Sequence, residues 1–140
     1  MNGPLPSTRA FLADLPTLPA DSKVRFLGCV QTYHVRTGHL VLEHNYPPRK
    51  ASQEPPSVSV DINAILETVT SEELRVGAWV NVLGYVRRRR RRSIAEKRET
   101  ASSVYVEAVM LFAAGAVSLG EYERILQDSL EVERRVRRVD

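Results

Sequence analysis

Ala78-Trp79-Val80-Asn81-Val82-Leu83-Gly84-Tyr85-Val86 runs straight into Arg87-Arg88-Arg89-Arg90-Arg91-Arg92. Val80, Val82, Gly84 and Val86 fall at alternate positions, so the first part reads as a β-strand with one inward face. Trp79, Leu83 and Tyr85 then face outward. Six guanidinium groups cannot share a core, so they must project from the strand end into water or onto an anionic partner. Their planar, paired donors suit phosphate. The junction reads as a β-domain holding out a basic loop.

Four more strands surround this one. Lys23 to Val35 is a long strand candidate interrupted by Gly28, a residue that inside a strand marks a bulge or sharp bend. Arg36-Thr37-Gly38 is a tight turn, and His39 to Glu43 returns to complete a hairpin. Asn45 to Pro56 carries too many prolines for a sheet interior and forms a surface loop. Val58 to Ile62 alternates as a third strand, and Asn63 to Val69 is a brief helix or turn. Beyond the basic stretch 87–103, Val104 to Phe112 is the fifth strand. Its alternation places Val104, Val106, Ala108 and Met110 inward and Tyr105 outward. Five strands, a kinked first strand and a short helical insert between the third and fourth describe an all-β fold. It is a five-stranded Greek-key barrel of the OB type.

The barrel is expected over residues 22–113, after a Pro-containing lead-in at 1–21. In the lead-in, Phe11, Leu12 and Leu15 allow one helical turn, with Ser7 or Thr8 as its N-cap. The lead-in is expected to pack on the barrel edge. Ser118-Leu119-Gly120-Glu121 has the capping-box pattern and opens an amphipathic α-helix within 117–138.

The formal net charge is +3. From Arg87 to Arg98, eight basic residues stand against Glu96, which gives +7 and leaves −4 on the rest. A basic segment on a mildly acidic body points to an anionic partner. The single cysteine, Cys29, excludes an internal disulfide and suits a reducing compartment. No apolar stretch approaches the ~20 residues that span a bilayer, and the N-terminus lacks the regions of a secretory signal. His39 and His44 are five residues apart on one strand and so face opposite ways, which argues against a shared metal. Catalytic constellations, phosphate-cradling glycine loops and clustered carboxylates are absent, so no enzyme and no cofactor is expected.

Thr8 to Leu12, Ser22 to Val30, Arg75 to Tyr85 and one long C-terminal helix follow in an order that resembles the smallest subunit of the CST telomere-capping complex, especially its filamentous-fungal form. The resemblance spans about Ser7 to Val136. It implies a single OB fold that pairs with the OB-fold middle subunit of that complex through the barrel and the C-terminal helix. It also implies protection of single-stranded telomeric DNA in the nucleus, at the telomeric region of the chromosome. The smallest subunit of replication protein A shares the architecture. The alternative function is therefore a stand-alone single-stranded nucleic-acid-binding OB protein, or a replication protein A-like small subunit.

The candidate nucleic-acid residues are Arg87, Arg88, Arg89, Arg90, Arg91 and Arg92, with Tyr85 and Tyr105 as stacking surfaces. A solvated loop doubling as a localisation signal is the competing reading of the arginines, and packing on the tails or a partner that of the tyrosines. The candidate partner residues are Leu119, Tyr122, Ile125, Leu126, Leu130 and Val132. Of these, Leu119, Tyr122, Leu126 and Leu130 form a stripe able to cover the open end of the barrel. Ile125 and Val132 lie off the stripe, giving an apolar arc wider than one docking face needs.

Overall fold

The computed structural model describes residues 6–89, 104–115 and 118–139, with backbone only for 137–139. The strands are β1 (Thr8–Arg9), β2 (Lys23–His34), β3 (His39–Glu43), β4 (Ser57–Asp61), β5 (Trp79–Arg88) and β6 (Val104–Ala113). One helix, α1, spans Leu119–Val139. Hydrogen bonding runs β1-β2-β3-β4-β6-β5, and a further β2–β5 pairing closes five strands into a barrel.

Closure depends on β2 changing partners. Its residues Lys23 to Cys29 pair with β5, and Cys29 to His34 pair with β3. Gly28 sits where the strand turns from one neighbour to the other. A Cβ there would stand 2.8 Å from Leu42 Cβ, so the close approach requires glycine. The bulge itself lies three residues on, at the register shift between Val30 and Thr32.

Inward residues of all five barrel strands form one core that includes Phe26, Leu40, Leu42, Val60, Val82 and Val106. Val80, Val82, Gly84 and Val86 point inward as the alternation requires. On β6 the alternation fails. Val104, Val106 and Ala108 are buried, but Met110 is 52% exposed and Leu111 takes the inward place. The cause is a second register shift: Leu83 pairs with Met110 while Gly84 pairs with Ala108, leaving Val109 as an extra residue. Beyond it, Val109, Met110 and Phe112 are exposed.

The lead-in also departs from expectation. Thr8 and Arg9 pair in parallel with Val24 and Arg25, and a 3-10 helix spans Leu12–Thr17. Its N-cap position is Phe11, with no side-chain cap, in place of the expected Ser7 or Thr8. The lead-in goes deeper than the barrel edge, because Leu12 and Leu15 join the core. Helix α1 instead packs outside the barrel. Leu126 is buried but stands apart from the main core, as do Phe11 and Leu27. Tyr122 links these layers through a backbone hydrogen bond with Leu27 and an edge-on contact with Phe11. The second half of the helix runs along the lead-in, where Leu130, Glu133 and Arg134 share a groove with Arg9, Asp14 and Leu18.

Candidate nucleic-acid and partner interfaces

The arginine run is divided by its own strand. β5 continues through Arg88, with Arg87 opposite Tyr105 and Arg88 opposite Val104. The sequence expectation has Arg87 projecting freely from the strand end; in the structure it is half-buried and paired with carboxylates of the protein itself. Its Nη1 donates to Asp21 Oδ1 and its Nε to Glu107 Oε2, the latter at 3.0 Å. Both hydrogen bonds hold its guanidinium above the usual arginine range, so it is a permanent cation between two carboxylates. Asp21, in the left-handed region at φ 68°, donates its N–H to Val86 O. Arg87 thus fastens the end of the lead-in to β5 and β6.

Tyr85 lies beneath this fastening, with the Arg87 guanidinium 5.2 Å from its ring centre. Arg88 donates to the Leu18 carbonyl at 3.1 Å, another lead-in contact. Arg89 differs. It is exposed, forms no ion pair among the described residues, and lies 5.8 Å from the Tyr105 ring centre. Tyr105 in turn stacks with His39 at 6.3 Å and 20°. Among the proposed nucleic-acid residues, Arg89 and Tyr105 come together on one open face, while Arg87 and Tyr85 are bound to structural work. Arg90, Arg91 and Arg92 lie outside the described residues.

The proposed partner residues also divide. Leu126 is fully buried against the barrel, and Leu119, Tyr122 and Leu130 are half-buried. Ile125 is 48% and Val132 59% exposed. Val136, four residues beyond Val132, extends this outer row at helical spacing. Below the helix, Arg9, Arg25, Asn81, Phe112 and Tyr122 line a groove of about 270 Å³. Arg9 and Arg25 are register partners on β1 and β2, so two like charges stand side by side. Neither forms an ion pair among the described residues. Burial raises the Tyr122 hydroxyl above its ordinary value of 10.0, with Arg9 and Arg25 pulling the other way.

Sequence reasoning missed His44. It is 2% exposed, and its Nε2 donates to Glu123 Oε2 on α1 at 2.7 Å. Phe11, Tyr46, Trp79 and Tyr122 surround the imidazole at ring-centre distances of 5.6 to 6.2 Å. This cluster fixes the first turns of the helix to the barrel. Its only sequence signal was an aromatic-rich set without periodicity, scattered from residue 11 to 122. Among the described residues, no three His, Cys, Asp or Glu side chains converge as a metal site would require. No described helix is long and apolar enough to cross a membrane.

A closed five-stranded barrel with an outer helix, an exposed apolar row and an open cationic face defines an OB-fold binding module. The family model of Ten1, a telomere-capping subunit of the CST complex, matches residues 1–127, and the chain belongs to that family. A chain of the Schizosaccharomyces pombe Stn1–Ten1 complex is similar in structure, with a TM-score of 0.68 and 21% identity, covering 92% of this chain and 96% of that one. The crystal structure of the telomere-capping protein Ten1 from Saccharomyces pombe gives 0.66 and 21%, over 90% of this chain and 99% of that one. An OBody bound to hen egg-white lysozyme shares the fold at TM-score 0.51 and 14% identity, over 80% and 97% of the two chains. No curated protein matches the sequence.

Proposed function

We propose that this CST subunit is a non-catalytic adaptor that pairs with the OB-fold middle subunit and helps the pair hold single-stranded telomeric DNA in the nucleus. The observation carrying the pairing is the outer apolar row of α1, Ile125, Val132 and Val136, which no described part of the barrel covers. Met110 and Phe112 add apolar surface on β6, released by the bulge at Val109. Exposed apolar patches of this kind mark protein interfaces. Arg9 and Arg25, without an ion pair among the described residues, suit carboxylates on the partner. The S. pombe relative in a complex with Stn1 supports the same assignment by its fold.

Co-expression with the middle subunit and size exclusion at micromolar concentration tests the pairing. The two chains are expected to elute together. Ile125→Asp is expected to separate them while leaving the folded chain intact, because it would bury an unpaired charge only at the interface. Separate elution of the wild-type chains would remove the adaptor assignment.

A further inference from the structure

The long connection from β3 to β4, residues 45–56, is a loop with two braced arms and an open tip. Its root is tied down. The His44 N–H donates to Pro56 O at 3.2 Å, and the Tyr46 ring stacks on Phe11 at 4.5 Å. Pro47-Pro48 on one arm and Pro55-Pro56 on the other restrict the backbone and stiffen both. Between them, Arg49-Lys50-Ala51-Ser52-Gln53-Glu54 is exposed at every residue. We propose that Ser52 is a phosphorylation site for a basophilic serine kinase, one whose acidic cleft reads Arg49 and Lys50.

The charge pattern singles out this serine. Arg49 and Lys50 stand three and two residues before Ser52, and no other described serine or threonine has basic residues at both places. Kinases select substrates by such charge patterns. Neither cation forms an ion pair among the described residues, so an acidic cleft competes with no carboxylate of the chain. The backbone agrees. Gln53 N–H donates to Lys50 O at 2.9 Å, closing a turn with Ala51 and Ser52 at its centre. It is the one hydrogen bond within the tip among the described residues, so drawing the tip out into a kinase cleft disrupts little. In the transfer, Ser52 Oγ attacks the γ-phosphorus of ATP. The Oγ–P bond forms as the P–O bond to ADP breaks, ADP departs with that electron pair, and the hydroxyl proton passes to the kinase's catalytic aspartate.

Arg49 and Lys50 against Glu54 leave the tip at +1. A phosphate of about −2 turns it to about −1 and offers three acceptor oxygens to an arginine-bearing partner. The tip belongs neither to the apolar row of α1 nor to the face around Arg89, so the proposal stands apart from the function given above.

The test incubates the full chain with magnesium ATP and the catalytic subunit of cyclic-AMP-dependent kinase, which reads basic residues at these two places. Fragmentation mass spectrometry assigns phosphate to single residues, so transfer to other serines is counted separately. Ser52 is expected to be modified in the folded chain. Arg49→Ala is expected to slow transfer to Ser52 about tenfold or more, the loss of one charged contact in the cleft. Gln53→Ala, on the far side of the acceptor, should leave the rate unchanged. Because the phosphate is added in solvent, amide shifts in the modified chain should stay within residues 45–56 and the urea midpoint should not move. No phosphate on Ser52, an Arg49→Ala rate equal to the wild type, dependence on Gln53 instead, or shifts spreading through β3 and β4 would each overturn the site. Co-elution with the middle subunit is read separately and is indifferent to all four.

Discussion

At the scale of single residues, Arg87 and Gly84 show that position on the barrel outranks residue type. Arg87 reads in sequence as the first of six equivalent cations, yet Asp21 and Glu107 engage its Nη1 and Nε. Those partners are 66 and 20 residues away in the chain, so no local pattern announces them. The pairs are partly exposed, and solvent screening limits their worth. Arg87→Ala is expected to lower stability by about 1 kcal/mol in urea unfolding while Arg89→Ala changes it little. Gly84 is less forgiving. A Cβ there would stand 2.4 Å from the Glu107 carbonyl oxygen and 2.9 Å from Val106 Cγ1, at the register shift that also frees Met110. Gly84→Ala is expected to cost about 2 kcal/mol or more, read as a lower urea midpoint, because backbone must move to admit it. The glycine was visible in the strand pattern. Its reason was not, because the reason lies in the neighbouring strand.

At the scale of elements, strands were legible because alternation is a local consequence of having one inward face. β3, β4 and β5 follow it, β2 breaks it where Phe26, Leu27 and Gly28 are buried in succession, and β6 follows it until the extra residue at Val109. A bulge on one strand is set by its pairing, which a single strand's pattern does not contain. The helix was legible too, with its stripe of Leu119, Tyr122, Leu126 and Leu130 turned toward the protein. Where it docks was not, because His44 and Glu123 meet across 79 residues. Leu126→Ala is expected to destabilise the protein by about 3 kcal/mol, the range for a buried leucine. Tyr122 adds a pH dependence. Burial raises its folded-state value above 10.0, so the fold favours the neutral phenol. That stabilisation is complete below the unfolded value and is lost as pH rises through the folded one. Above its ordinary value of 10.0, the wild-type protein should therefore lose stability more steeply than Tyr122→Phe. Urea titrations at stepped alkaline pH would record the difference, and parallel curves would contradict the buried phenol.

At the scale of the whole molecule, the chain distributes its exposed chemistry over separate surfaces. The outer row of α1, with Phe112 and the Arg9–Arg25 pair, is apolar and cationic and suits a protein partner. On another part of the barrel, Arg89 and Tyr105 meet on a polar, cationic face. The six-arginine run dominates the sequence, but its first member fastens the lead-in to β5 and β6. The family assignment rests on the family model that matches residues 1–127, and strand order and the helix agree with it. The central claim is that α1 and β6 carry the middle subunit while the β3–β4 face stays uncovered. Hydrogen exchange on the wild-type chain, alone and paired with the middle subunit, tests it most directly. Pairing should slow exchange in α1 around Ile125 to Val132 and in β6 around Met110 to Phe112, and leave Val41, Ser57 and Ser59 unchanged. Protection of the β3–β4 face with no change on α1 would contradict it.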